Sequence, residues 1–253
     1  MKPCDPHEAT ARPEDAPSTP GPVVHHAQAV SGYVQGHQTF ASCALWPEER
    51  WTLDRLSDLS GHLPLGVTMT PYLTLYPCQR FYAVARTWPD PANDRAGCVL
   101  THTLLLQGIP SVDGLRRALG ALRCPATGLR DRADYAGPVD LLGATPVPME
   151  PLDPALRDAL LRLSTRPRRV PGCLLFWDDP PHDAVALAVW SGLDPADRAT
   201  LTLCTGALGV RRDRFEHAFR VLVAPRGARA SFPELHGEEV SASGTLAPLE
   251  RNR

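Results

Sequence analysis

The chain reads as α+β, with mostly antiparallel sheet and a few short helices arranged in two blocks. Three observations predict this. Strand-like segments come in runs with helices between them, rather than in strict strand–helix alternation. Two helix starts of the form Asp-Pro, at Asp153-Pro154 and Asp194-Pro195, punctuate the second half. Neither a G-x-G-x-x-G turn nor a Walker A loop occurs, so the standard phosphate cradles of doubly wound folds are missing.

The elements follow in order. Residues 1–24 are rich in Pro, Ala, Glu and Asp without periodicity and read as a disordered leader. The first block covers residues 25–146. "AQAVSGYV" and "QTFASCAL" are expected as two strands around the turn Gln35-Gly36-His37-Gln38. "DRLSDLSG" is a short helical turn, with Leu56 and Leu59 three apart and Gly61 placed to end it. "TPYLTLYP" alternates Tyr72, Thr74 and Tyr76 against Leu73 and Leu75, the pattern of a strand with one buried face. "RFYAVART" and "GCVLTHTLLL" follow as further strands. "SVDGLRRALGALR" is a helix that Ser111 can cap, with Val112, Leu115, Leu119 and Leu122 on one face.

A proline-rich joint, "TPVPMEPLDP", leads into a second block at residues 147–240. There "DPALRDALLRLS" repeats Leu156, Leu160 and Leu163 at helical spacing behind its Asp-Pro start. "CLLFW", "AVALAVW" and "FRVLVAP" are expected as buried strands, and "DPADRATLTLC" opens another helix. Residues 241–253 lack a core pattern and read as a flexible tail.

Composition narrows the function classes. The 253 residues carry a net charge of −2, so no bulk field draws the protein to nucleic acid or anionic membrane. Lys2 is the only lysine; arginine supplies the other positive charges, which makes arginine enrichment a coding bias rather than a signal. No apolar run is long enough for a signal peptide or a membrane span. The seven cysteines show no C-x-x-C pair and match neither a zinc site nor a disulfide framework. A cytoplasmic location with reduced thiols is the expectation, and no cofactor or metal is indicated.

Four places could carry chemistry. In "SGYVQGHQTFASC" His37 precedes Ser42 and Cys43, a general base near two nucleophiles. Strand alternation weighs against the local dyad, and a turn histidine bonding its own backbone is the plainer reading. In "DRAGCVLTHTLLL" Cys98 and His102 share a face but stand about 13 Å apart on a regular strand, too far for proton transfer. His102 could still meet His37 from a neighbouring strand. Around "RTWPDPANDRAG", Arg86, Asp90, Asp94 and Arg95 suit either an anion or partner site or a solvated turn. The cluster Arg166, Arg168 and Arg169 lacks interleaved aromatics and reads as a solvated loop.

The order of several motifs adds a further reading. "QAVSGYVQGHQTFASC", "LSDLSG", "PYLTLYP", "FYAVARTWPD" and "RAGCVLTHTLLL" resemble the N-terminal region of the bacterial GTPase-associated protein 1 family. The matching positions are Gln28, Gly32-Tyr33, Gly36-His37, Ser42, Arg86-Thr87, Arg95, Gly97 and Thr101-His102. "LAVWSGLDPADRATLTLCTGALGVRR" and "FRVLVAP" extend the resemblance over residues 27–226. It implies a component of multi-gene bacterial conflict systems acting against phage. Its protein partners would be a GTPase or other NTPase and an effector. The leading expectation is a non-enzymatic interaction or regulatory subunit, with Tyr33, His37, Arg86 and Arg95 as candidate ligand or partner contacts. The alternatives are a hydrolase using His37 or His102 with Ser42, Cys43 or Cys98, and a small-ligand sensor gripping an anion with Arg86 and Arg95.

Overall fold

The long strand-like runs of the first half pair with their sequence neighbours. In the computed structural model, which describes residues 25–33, 36–57, 63–90, 92, 97–125, 132–165, 173–233, 235, 237–240 and 246–248, five of them build an antiparallel platform. They are β1 (His25–Tyr33), β2 (His37–Ser42), β3 (Tyr72–Cys78), β4 (Phe81–Pro89) and β5 (Val99–Gln107). The register sets Thr87 opposite Thr101, Arg86 opposite His102, and His102 opposite Val30. A bulge between Val30 and Ser31 marks the β1–β2 pairing. The short β6 (Val139–Asp140) pairs with the start of β1.

The second half supplies β7 (Cys173–Phe176), β8 (Leu203–Cys204), β9 (Val221–Ala224), β10 (Gly237–Val240) and β11 (Leu246–Pro248). All join one mixed sheet in the order β11-β10-β7-β9-β8-β3-β4-β5-β1-β2. The architecture is α+β, and antiparallel pairs outnumber parallel ones. The parallel pairs are β10·β7, β7·β9 and β8·β9. "CLLF" and "VLVA" are buried throughout, the unbroken apolar runs of strands covered on both faces. The two halves meet where β3 pairs antiparallel with β8.

The helices are α1 (Pro47–Leu56), α2 (Val112–Ala121), α3 (Arg132–Ala136), α4 (Pro154–Ser164), α5 (His182–Gly192) and α6 (Pro195–Thr200). The Ser111 hydroxyl accepts from Gly114 N at 3.0 Å, capping α2, and Asp153 and Asp194 cap α4 and α6 in the same way. One sheet face carries α2, α4 and α5 over Leu73, Val84, Leu104 and Leu175. The other carries α1 and the 3-10 helix Arg226–Ser231 over Tyr76, Ala83, Leu105 and Phe176.

Three expectations need correction. "AVALAVW" is not a strand but the middle of α5, buried from Ala184 through Trp190. An apolar run without periodicity fits a wholly buried helix as well as a strand, and the alanines favour the helix. "DRLSDLSG" is not a separate helical turn: α1 begins earlier, at Pro47, and is capped at Ser57, while Leu59 and Gly61 lie outside the described residues. The segment read as a flexible tail supplies β11, which adds to β10 at the sheet edge. The leader at 1–24 and the arginines at 166, 168 and 169 also fall outside the described residues.

A buried arginine ties the layers together. Arg211, only 6% exposed, donates to Leu56 O at 2.8 Å and to the Thr74 hydroxyl at 3.0 Å, and approaches Cys204 Sγ at 3.7 Å. It thus joins the last turn of α1 to β3 and β8. Replacing Arg211 with Met strips the partner from at least two buried acceptors. Chemical denaturation is expected to show a loss of about 2–4 kcal/mol; a loss below about 0.5 kcal/mol would show that the clamp is dispensable.

Candidate functional site

The sheet separates the histidines that the sequence singled out. Ser31 and Thr39 share a hydrogen bond of 3.1 Å, and Thr87 and Thr101 one of 2.9 Å, all on the α1 face. Thr101 also donates to Ser57 O at 2.8 Å, and Ser57 Oγ lies 3.4 Å from His37 Nε2. His37, two residues before Thr39 on β2, belongs to this face. It is a strand residue opposite Tyr33 rather than a turn residue.

His102 points the other way. Its Nε2 meets Gln28 Oε1 at 3.0 Å, and its Nδ1 accepts from Arg123 N at 3.1 Å. The Arg123 amide therefore places the ring proton on Nε2, and Gln28 Oε1 accepts it. The Gln28 amide nitrogen in turn donates to Asp134 O and Gly137 O, at 3.1 and 2.8 Å, and the Tyr135 ring packs edge-on to the imidazole. Gln28 and His102 thus latch α3 and the end of α2 onto the sheet. Burial and the Arg123 charge pull the His102 pKa down to about 3, so the ring is neutral.

The remaining candidates scatter. Ser42 Oγ accepts from Arg50 at 3.5 Å, and Cys43 Sγ points at Gly137 O at 3.1 Å. Cys98 is buried just before β5. Arg86 lies beside His102 across β4 and β5, but its guanidinium is bound to Asp183 of α5 at 2.5 Å. Tyr33 is exposed at the end of β1, and Arg95 lies outside the described residues. The structure brings Arg86 and His102 together and keeps His37 apart from both. Among the described residues no group of three His, Cys, Asp or Glu side chains is placed to hold a metal ion, and no helix is long and apolar enough to cross a membrane.

A different cluster stands out on the surface. Trp46 and Trp51 on α1 and Phe215 in the 212–217 loop are 56%, 53% and 58% exposed. Each carries an arginine: Arg80 lies 4.3 Å from Trp46, Arg55 5.2 Å from Trp51, and Arg214 4.4 Å from Phe215. The parts are bonded to one another. Arg80 pairs at 2.8 Å with Glu49, whose other oxygen accepts from Trp46 N at 2.9 Å and caps α1. Arg55 pairs with Glu216, and Arg214 donates to Gln79 Oε1 at 2.6 Å. Helix α1, the β3–β4 turn and the 212–217 loop therefore form one ridge of alternating aromatic and arginine side chains. Single exposed aromatics carry no message, but three in one bonded ridge are the residue types that dominate protein interfaces. Trp46 and Trp51, five residues apart with Pro47 between them, were the signal available in the sequence.

The depressed His102 pKa has a measurable consequence. The unfolded chain takes up a proton near pH 6.5 that the folded chain refuses until about pH 3. Stability is therefore fully present above pH 6.5 and is lost as the pH falls through that window. The slope from this group is at most about 1.4 kcal/mol per pH unit. Denaturation from pH 7 to 4 should show the wild type's stability relative to His102→Gln shrinking toward acid; a pH-independent difference would mean that the His102 pKa is the same in the folded and unfolded chain.

No curated protein and no solved structure matches the chain. Residues 25–115 match the family model described as GTPase-associated protein 1, N-terminal domain type 1. That segment runs from β1 into α2 and holds α1 with both ridge tryptophans, the β3–β4 turn, His37 and His102. Over that segment the chain is similar to the type 1 N-terminal domain of the GTPase-associated protein 1 family.

Proposed function

We propose that the protein is a non-enzymatic interaction subunit of a bacterial NTPase-coupled conflict system, cytoplasmic and active in anti-phage defence. It docks a GTPase of the same system through the ridge of Trp46, Trp51 and Phe215. The observation that carries this reading is the exposure of all three aromatics on a surface whose arginines are already held in place. Pre-positioned side chains lose little conformational freedom on binding, so burying them against a partner yields net affinity. The family description names GTPase association, which supplies the class of partner.

The separation of His37 from His102, and the pairing of Arg86 with Asp183, favour docking over hydrolysis or anion sensing at those residues. The test is a pull-down of the GTPase encoded beside this gene, loaded with GTP analogue, with GDP, or empty. Trp51→Ala and Phe215→Ala should each weaken capture at least about tenfold, as hot-spot truncations do, with melting temperatures unchanged. Capture of that GTPase at wild-type strength by the double variant, or no capture by the wild type in any nucleotide state, would overturn the proposal.

A further inference from the structure

The parallel half of the sheet contains a crevice that the docking ridge does not use. The carboxyl ends of β7, β8 and β9 reach the same edge. From β7 the chain crosses to β8 through α5, which packs on the face with α2 and α4. From β9 it leaves in the opposite direction, to β10, through the 3-10 helix whose Ala228 packs on the other face. Neighbouring strands whose connections part in this way leave an opening at their carboxyl ends, where open α/β sheets hold ligands. Here that opening is a small cleft of about 30 Å³, partly open to solvent.

Its walls specify the chemistry. Trp177 follows β7, Pro225 follows β9, and Met69 closes the side toward β3, making much of the lining apolar. The polar part includes a pair of neutral groups, His182 and Thr70. His182, the first residue of α5, sets its Nδ1 2.8 Å from the Thr205 hydroxyl and its Nε2 3.3 Å from the Thr70 hydroxyl. Thr205 is fixed in turn by Leu73 N, which donates to it at 2.9 Å. Burial and the charge of Arg86 hold the His182 pKa below its ordinary value, so the imidazole is uncharged at neutral pH.

The charges nearby do not invite an anion. Arg226 is engaged by Asp178 at 2.7 Å and by Glu239 at 2.6 Å, and Arg86 by Asp183. The carboxylate of Asp178 itself lines the cleft. A phosphate would meet a negative charge and a neutral histidine. An uncharged ring with a hydrogen-bond donor and acceptor side by side on one edge fits better: it can replace the long contact between His182 and Thr70 with one bond to each.

We propose that this cleft binds an uncharged heteroaromatic ring of the nucleobase class, with its polar edge on His182 Nε2 and the Thr70 hydroxyl and its faces against the apolar wall. This site is separate from the docking ridge and stands whether or not a GTPase binds there.

The experiment titrates the full chain with adenosine, guanosine and uridine, which carry the ring without phosphate. Binding is followed by calorimetry and by the indole N–H resonance of Trp177. At least one nucleoside should bind saturably and shift that resonance. Thr70→Val, which keeps the shape and removes the hydroxyl, should weaken binding about tenfold or more without lowering the melting temperature appreciably. His182→Phe should abolish binding; if that variant does not fold, Thr70→Val decides alone. Three results would overturn the proposal: no nucleoside moves the Trp177 resonance up to its solubility limit; binding persists unchanged in Thr70→Val; or affinity appears only with the triphosphate.

Discussion

The fold depends on a guanidinium kept away from water. Arg211 sits in the segment between β8 and β9, yet its donors go to the last turn of α1, to β3 and to β8. Burying a cation is costly unless it is bonded, so its surroundings must supply acceptors. Leu56 O is one of the orphan carbonyls at a helix C-terminus, where a cation is also favoured by the helix dipole. A single side chain therefore fixes where α1 ends, how it lies over the sheet, and where the two halves join. The pairing of β3 with β8 completes that join, with Leu73 and Thr205 exchanging backbone and side-chain hydrogen bonds.

Once α1 is fixed, the sheet acts as a partition. On its side a row of small hydroxyl residues, Ser31, Thr39, Thr87 and Thr101, bonds in pairs and lets the helix end approach closely. Larger or apolar side chains there would leave Ser57 O without its donor. On the opposite side His102 is neutral, and its two ring nitrogens bond Gln28 and the Arg123 amide, which ties α3 and the end of α2 to the sheet. Two histidines that look alike in the sequence thus serve opposite faces: His102 Nε2 meets Gln28, and His37 Nε2 lies 3.4 Å from Ser57 Oγ.

Much of the first half was legible in the sequence because its signals are local. Alternation in "TPYLTLYP", the Ser111 cap and the Asp-Pro helix starts each predict an element from residues within a few positions. What failed was non-local or ambiguous. "AVALAVW" is apolar all round because α5 is buried on every side, and that burial comes from α2 and α4, distant in the sequence. The parallel pairing of β7, β8 and β9 depends on crossovers that periodicity does not encode. The candidate sites suffered most. Face alternation did argue against the His37–Ser42 dyad, but the partition between His37 and His102 follows from the β1–β5 register. His182 carried no motif at all; it gains meaning only because three strand ends converge beside it.

The ridge is likewise assembled from distant parts of the chain. The family match ends at residue 115, and the ridge tryptophans lie within it. Yet Phe215, Glu216 and Arg214, which complete the ridge, come from the far end of the chain. They reach α1 because the Arg211 segment passes beneath the helix, and the Asp213 carboxylate shapes the following turn by accepting from Phe215 N and His217 N at 2.8 and 3.0 Å. Helix α1 on its own would present Trp51 and Arg55 without the Glu216 that orients the arginine. Orientation matters because a mobile arginine over an aromatic ring gains little in water, whereas a held one keeps its charge over the ring. The second half of the chain therefore does more than extend the sheet: it sets the geometry of a surface whose recognisable residues belong to the first.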